Sequence, residues 1–301
     1  MASTDTADVV DWPRRGRRGS GWHFRNLVLL GPAAAFYVAF FLIPLGLLVV
    51  YSFYTVDQVK LQITPAFSGS NYRAALSGSL YLNVVLRTVL LGLAVGIVVV
   101  ALAFCFAYIA TFVFPNQREL LLFLLLASIF GGYLVRIYAW RTILGDQGLI
   151  NSLLISVGVV NHPLRFLLFS RFAVLVTLVN FLLPFGVLPL YGALQNVPRD
   201  VLESARDLGG GPVSVFRTTL LPLTSTGIRV AFAFAFVLAA GDYVTPQLVG
   251  GTNGIMIGNV VADQFGVAYN WPLGAALAIT TMLLVLAIFL LIGKAIALAS
   301  R

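Results

Sequence analysis

"LYLNVVLRTVLLGLAVGIVVVALAFCFAYIATF", Leu80 to Phe112, carries a single charge, Arg87. A helix crosses the roughly 30 Å hydrocarbon layer of a bilayer in about 20 residues. This run is therefore long enough to span, and too long for a strand of a membrane barrel. Backbone groups in lipid must pair within their own segment, which favours a helix. Outward from it, five further runs have the same character: Leu27 to Phe53, Leu120 to Trp140, Phe172 to Leu194, Leu223 to Val249 and Trp271 to Leu298. The chain reads as all-α, a multi-pass transmembrane bundle of six helices.

Composition agrees. With 301 residues, 59% apolar and 10% charged, there is more hydrophobic surface than a soluble core of this size can bury. The first run follows the basic stretch "RRGRR", Arg14 to Arg18. Its apolar part is too long for a secretory signal and no small-residue cleavage pattern follows, so it reads as a retained helix. The expected organisation is a basic cytoplasmic tail (1–26), a first span (27–53) and a core (80–298) that contains a cytoplasmic loop (195–222).

Orientation follows from the cations. With the N-terminus inside, the cytoplasmic segments hold Arg14, Arg15, Arg17, Arg18, Arg25, Arg118, Arg199, Arg206, Arg217, Lys294 and Arg301. The outer segments hold only Lys60, Arg73, Arg141, Arg165 and Arg171. This asymmetry places both termini in the cytoplasm. The net charge of +8 fits such an orientation and acidic lipid headgroups. No interleaved basic-aromatic stripe points to nucleic acid.

Of the outer connections, Val56 to Ser79 is polar and Ser/Gly-containing. Thr142 to Ser170 contains "LINSLLISVGVV", whose apolar spacing predicts a short interfacial helix, broken by Asn161, His162 and Pro163.

Chemistry-bearing patterns are sparse. Gly209 to Gly211 lack the Lys-Ser/Thr that follows a phosphate-cradling loop, so ATP is not expected to bind this chain. His23 and His162 have no partners at ligand spacing, and no metal site is expected. No serine sits in a strained elbow beside a base. Cys105 is the single cysteine and permits no internal disulfide.

The polar stretch "NVPRDVLESARDLGGGPVSVFRTTLLP", Asn196 to Pro222, is different. Pro198 suits a helix start, Asp200 and Glu203 suit its N-terminal end, and Gly209 to Pro212 stop it. Val201, Leu202, Ala205 and Leu208 share one side, with Asp200, Glu203 and Asp207 on the other. Such a helix is expected to dock on something.

Glu203, Ser204 and Ala205, then Gly209, then Leu221-Pro222, resemble the "EAA" loop of permease subunits of bacterial ABC importers. Ser204 replaces the first Ala of that pattern, and Thr219 stands where Ile is usual. Further stretches, "VRIYAWRTILGDQGLIN" (Val135 to Asn151), "LPFGVLPLYGALQNVP" (Leu183 to Pro198), "IGNVVADQF" and "NWPLGAA" (within Ile257 to Ala276), are similar to the polyamine-type permeases, those for spermidine and putrescine. The resemblance implies the type I ABC importer permease fold in a bacterial inner membrane. It implies a second homologous permease, two ATP-binding subunits that hold ATP and Mg, and an extracytoplasmic solute-binding protein. It makes the loop a coupling helix in a cleft of the ATPase, with Glu203 and Ala205 as contact surface and Gly209 as the sharp turn. Leu221-Pro222 would begin the fifth helix as a stiff lever.

A transport path needs polar groups in the bundle. Asp242 is the first candidate, since an ionisable residue in an apolar run must face a cavity or a partner. Ala231, Ala235, Ala239 and Tyr243 recur every four residues beside it as a close-packing face. A carboxylate beside an aromatic can hold an ammonium group; the alternative is that Asp242 caps a helix end. Arg136, Tyr138 and Trp140 form a second polar-aromatic group, equally readable as interfacial anchors. Asn180 is a buried amide that needs a partner. Arg87 and Arg229 read as snorkelling, and Asp263 as a solvated residue of an outer loop.

Two other classes fit the sequence less well. A secondary transporter often has two related halves, and none are visible. A membrane enzyme needs clustered ligands at one depth, and none are found. Within the importer class, amino-acid derivatives, phosphonates and inorganic ions stay open as cargo.

Overall fold

The computed structural model describes residues 31–57 and 62–299. The basic tail 1–26, the start of the first run at 27–30, Lys60 and Arg301 lie outside the described residues.

In chain order the elements are α1 (Gly31–Tyr51), strands β1 (Thr55–Asp57) and β2 (Gln62–Thr64), α2 (Ser70–Ser77), α3 (Ser79–Val113), α4 (Arg118–Ala127) and α5 (Tyr133–Leu144). They continue with α6 (Leu149–Ser156), α7 (Arg171–Gln195), α8 (Arg199–Asp207), α9 (Pro212–Gly241), α10 (Ile257–Gly266) and α11 (Trp271–Ala299). Among the described residues five helices, α1, α3, α7, α9 and α11, are long and apolar enough to cross a membrane. The count reaches six if one bent pair is a single span. The expectation of an all-α chain needs one amendment. The polar connection after α1 forms a small antiparallel ribbon, Thr55 opposite Thr64, and Asn71 of the following α2 donates to the Tyr54 carbonyl at 2.7 Å.

Prolines shape the long helices. Widened π turns cover Val38–Leu42, Ile109–Val113 and Phe216–Leu220. Each is centred on the residue four before a proline: Phe40 before Pro44, Thr111 before Pro115, Thr218 before Pro222. A proline has no N–H to give that carbonyl and its ring crowds it, so the turn opens.

The core is three helices, α3, α7 and α9, packed along their lengths. Ala231, Ala235 and Ala239 of α9 are all fully buried, as their four-residue spacing predicts. Gly96 of α3 lies under the Phe232 ring, where an added Cβ would come within 2.7 Å of Cε2. Small residues let backbones approach in a medium that offers helices no hydrophobic drive to associate, so close van der Waals packing holds this core together.

Two expected spans are redrawn. The third run, expected to be continuous from Leu120 to Trp140, is two helices set at 92°. The first tightens into a 3-10 turn at Ser128–Gly131, and Gly132 then adopts φ 74, ψ 137. L-residues avoid that region, so the paired glycines break a helix that hydrophobicity alone would continue. The fifth run, expected over Leu223 to Val249, begins earlier at Pro212 and stops at Gly241. Asp242 is extended at φ −77, ψ 131.

The predicted helix in the outer connection is α6. Its Asn151 is fully buried, donating to the Gly145 carbonyl at 2.9 Å and accepting from the Leu164 N–H at 2.8 Å. Asp263, expected in a loop, is exposed on α10.

Candidate functional site

Two places along α9 carry the polar chemistry, one at each end. At its start, α8 follows α7 as the caps predict. Pro198 is the N-cap, Asp200 lies in the first turn and Arg206 in the last, the two charges matched to the helix dipole. Gly209 takes φ +84, and the Gly210 N–H returns to the Ala205 carbonyl at 3.1 Å. Leu202 is buried with Val215 and Leu220, so α8 is pinned to its own chain. Val201, Glu203, Ser204 and Leu208 face outward, Leu208 at 90% exposure.

Ala205 is half-buried and packs with Leu202 against the inner cluster, so less of it reaches the outward surface than of Glu203 or Ser204. The regular α-helix begins at Leu221-Pro222, as expected, and helical backbone leads into it from Pro212 through the π turn at Phe216–Leu220.

At the far end of α9, Asp242 gathers a network. Its Oδ2 accepts from Tyr133 Oη at 2.6 Å and from Thr245 Oγ1 at 2.6 Å. Its Oδ1 accepts from the N–H groups of Val244 at 2.9 Å and Thr245 at 3.3 Å. The carboxylate thus caps the turn that restarts the chain after α9, satisfying N–H groups that no helix supplies. Tyr133 and Asp242 line a cavity of about 310 Å³ with Leu178, Phe181, Leu182, Val237, Leu238 and Gly241.

The other path candidates divide. Tyr243 leaves the alanine stripe because the helix has ended. It is exposed, and its carbonyl accepts from Asn259 Nδ2 at 2.7 Å. Asn180, expected to be buried, is exposed on α7. Pro184 also leaves the Asn180 carbonyl without its helical donor. Arg136, Tyr138 and Trp140 do not form one group. Arg136 is half-buried, bonds the Ser128 carbonyl across the bend and stands 5.6 Å over the Phe181 ring. Trp140 packs into the core, and Tyr138 is exposed beside Arg141 and Arg165. Arg87 is exposed, as snorkelling requires, while half-buried Arg229 bonds Thr226 Oγ1 at 3.0 Å.

Sequence reasoning missed Tyr133, Thr245 and Phe181. The signals were Gly131-Gly132 inside an apolar run, and Asp242 three residues before Thr245-Pro246, which has the spacing of a cap.

Residues 120–297 match the family described as binding-protein-dependent transport system inner membrane component. The chain is 35% identical to the spermidine/putrescine transport system permease protein PotB of Haemophilus influenzae, over 84% of this chain and 87% of that protein. It is 33% identical to PotB of Escherichia coli K12, over 85% and 91% respectively. It is 31% identical to the inner membrane ABC transporter permease protein YdcU of the same organism, over 92% and 94%. The fold is similar to a chain in the crystal structure of a bacterial ABC transporter involved in the import of the acidic polysaccharide alginate. That match has a TM-score of 0.68 and 14% identity, covering 92% of this chain and 95% of the other.

Proposed function

The chain belongs to the family of binding-protein-dependent transport system inner membrane components, and from that premise we propose that it lines the import path of a bacterial polyamine transporter. ATP hydrolysis lies with separate ATPase subunits. The chain pairs with a second permease, two ATP-binding subunits that hold ATP and Mg, and an extracytoplasmic binding protein. Both termini are cytoplasmic, which the Lys/Arg asymmetry supports. α8 is the coupling helix and offers Glu203, Ser204 and Leu208 to the ATPase, with Gly209 turning the chain back toward α9. Ser204 and Glu203 supply polar contacts and Leu208 an apolar anchor.

One observation carries the substrate class: relatives named for spermidine and putrescine transport align with the chain over 84–89% of its length at 33–35% identity. The chemistry at the end of α9 is compatible with such cargo. Asp242 supplies negative charge, and the faces of Tyr133 and Phe181 favour cations. Asn180, on the exposed face of α7, supplies a further polar group to the path.

The test is uptake of labelled spermidine into proteoliposomes holding the full complex, with ATP hydrolysis followed alongside. Unlabelled polyamines should compete. Competition by amino-acid derivatives, phosphonates or inorganic ions instead, with no effect of polyamines, would overturn the substrate assignment.

A further inference from the structure

Asp242 accepts four hydrogen bonds, about as many as a carboxylate has lone-pair sites for. Three come from Val244 and Thr245, in the turn that the carboxylate itself begins: two from their backbone N–H groups, which cannot leave without unwinding the turn, and one from the Thr245 hydroxyl. The fourth comes from Tyr133, 109 residues away in sequence. Tyr133 is the one donor that reaches the carboxylate from a distant part of the chain, so its departure leaves the turn intact.

Its departure is also prepared. Tyr133 Oη lies 2.9 Å from Thr245 Oγ1, a second acceptor for the same hydrogen. The ring is held apart from the hydroxyl's bonding, against Phe181 at a centroid distance of 4.7 Å. Tyr133 and Asp242 both face the cavity of about 310 Å³, whose other walls are largely apolar. The Tyr133 bond to the carboxylate is already charge-assisted; an ammonium group would make a bond of the same kind and add a full positive charge opposite the negative one.

Building on the reading that the cargo is cationic, we infer that an ammonium group entering this cavity displaces the Tyr133 hydroxyl from Asp242 Oδ2. The hydroxyl turns to Thr245 Oγ1, Thr245 keeps donating to the carboxylate, and no proton changes owner. Tyr133 is thus a positioning residue that occupies the carboxylate while the cavity is empty and yields it to a cation. Because Tyr133 is the first residue of α5 after the bend at Gly132, the exchange is felt where the span is broken.

The single native cysteine makes a direct test simple. Cys105→Ser with Leu238→Cys leaves one thiol in this chain, on the cavity wall, and modification is read on this chain. In membrane vesicles holding the full transporter, that thiol is modified with 2-aminoethyl methanethiosulfonate and, separately, with the neutral methyl reagent. The ratio of the two rates reads the cavity's preference for an ammonium group. Tyr133→Phe keeps the ring on Phe181 and removes the competing donor, so the ratio should rise roughly 10- to 100-fold, the range set by one hydrogen bond to a charged group. Asp242→Asn on top of Tyr133→Phe should cancel the rise.

An unchanged or lower ratio in Tyr133→Phe overturns the exchange. So does a thiol inert to both reagents, or a Tyr133→Phe chain that no longer assembles, which would make the hydroxyl structural. If the ratio rises but spermidine gives no protection against modification, the exchange stands and the polyamine reading fails.

Discussion

Tyr133 Oη and Asp242 Oδ2, 2.6 Å apart, tie together the two places where apolar runs are interrupted, the bend at Gly132 and the end of α9 at Gly241. Interrupted helices leave backbone groups without their helical partners, and these must be satisfied by other means. Asp242 answers this locally by capping Val244 and Thr245, and at long range through Tyr133. The same two breaks are the points at which a bundle of otherwise continuous helices can bend.

The bend itself is testable. Gly132 is open to solvent, with Val135 Cγ2 the nearest atom to an added Cβ at 3.7 Å, so space is not the constraint. Its φ of 74 with ψ 137 is. Gly132→Ala should therefore cost of order 1–3 kcal/mol through backbone strain alone. The expected result is a lower melting temperature of the purified complex, with spermidine uptake reduced in proportion. A melting curve matching the parent would show that the bend relaxes freely.

In the core the constraint is the reverse. Gly96→Ala places a methyl 2.7 Å from the Phe232 ring, and overpacking of this kind costs about 1–3 kcal/mol. Phe232→Leu in the same chain should restore part of the stability by making room. Thermal unfolding of the single and double variants in detergent measures this. Additive losses would mean that the two residues do not meet.

How much of this was legible in the residues depends on which force decides locally. Hydrophobic runs located every long helix, because in lipid burial and backbone pairing point the same way. The short polar helix α8 was readable to within a residue, since Pro198 and Gly209 are strong punctuation. The same runs hid the bend at Gly132 and the stop at Gly241, where one or two glycines outweigh some twenty apolar neighbours. Side-chain direction was less legible still. Ala205 and Leu208 share a helix face by spacing, yet only Ala205 is covered, because the Leu202, Val215 and Leu220 cluster ends before Leu208. Asn180 looked buried because its neighbours are apolar, but it stands on the open side of α7.

On α8, Glu203 is exposed in the N-terminal half of the helix. Glu203→Lys should leave the permease assembled in the membrane while lowering ATP-driven uptake at least about tenfold. The change turns the helix-dipole contribution unfavourable and reverses an interface charge. Co-purification of the ATPase and uptake in proteoliposomes report the two effects separately. Normal uptake by the variant would remove Glu203 from the contact surface.

Substrate charge is tested at Asp242. Asparagine keeps the size of the side chain and an Oδ1 that can still cap Val244, so Asp242→Asn should assemble and accept the binding protein as before. What changes is the other oxygen: an amide NH₂ now faces the hydroxyls of Tyr133 and Thr245, which must rotate to accept rather than donate. The negative charge is gone from a site walled by Leu178, Leu182 and Leu238, where screening is weak and a lost charge is felt more than at a wet surface. A hydrogen bond to a charged group is worth about 1.5–3 kcal/mol. A cationic substrate passing this point should therefore be taken up roughly 10- to 100-fold more slowly, with ATP hydrolysis less affected than uptake. The measurement is labelled spermidine entering proteoliposomes that hold the full complex. Unchanged uptake would reduce Asp242 to the cap of a broken helix, leaving the carboxylate with a structural task and the path's preference for cations to be sought elsewhere.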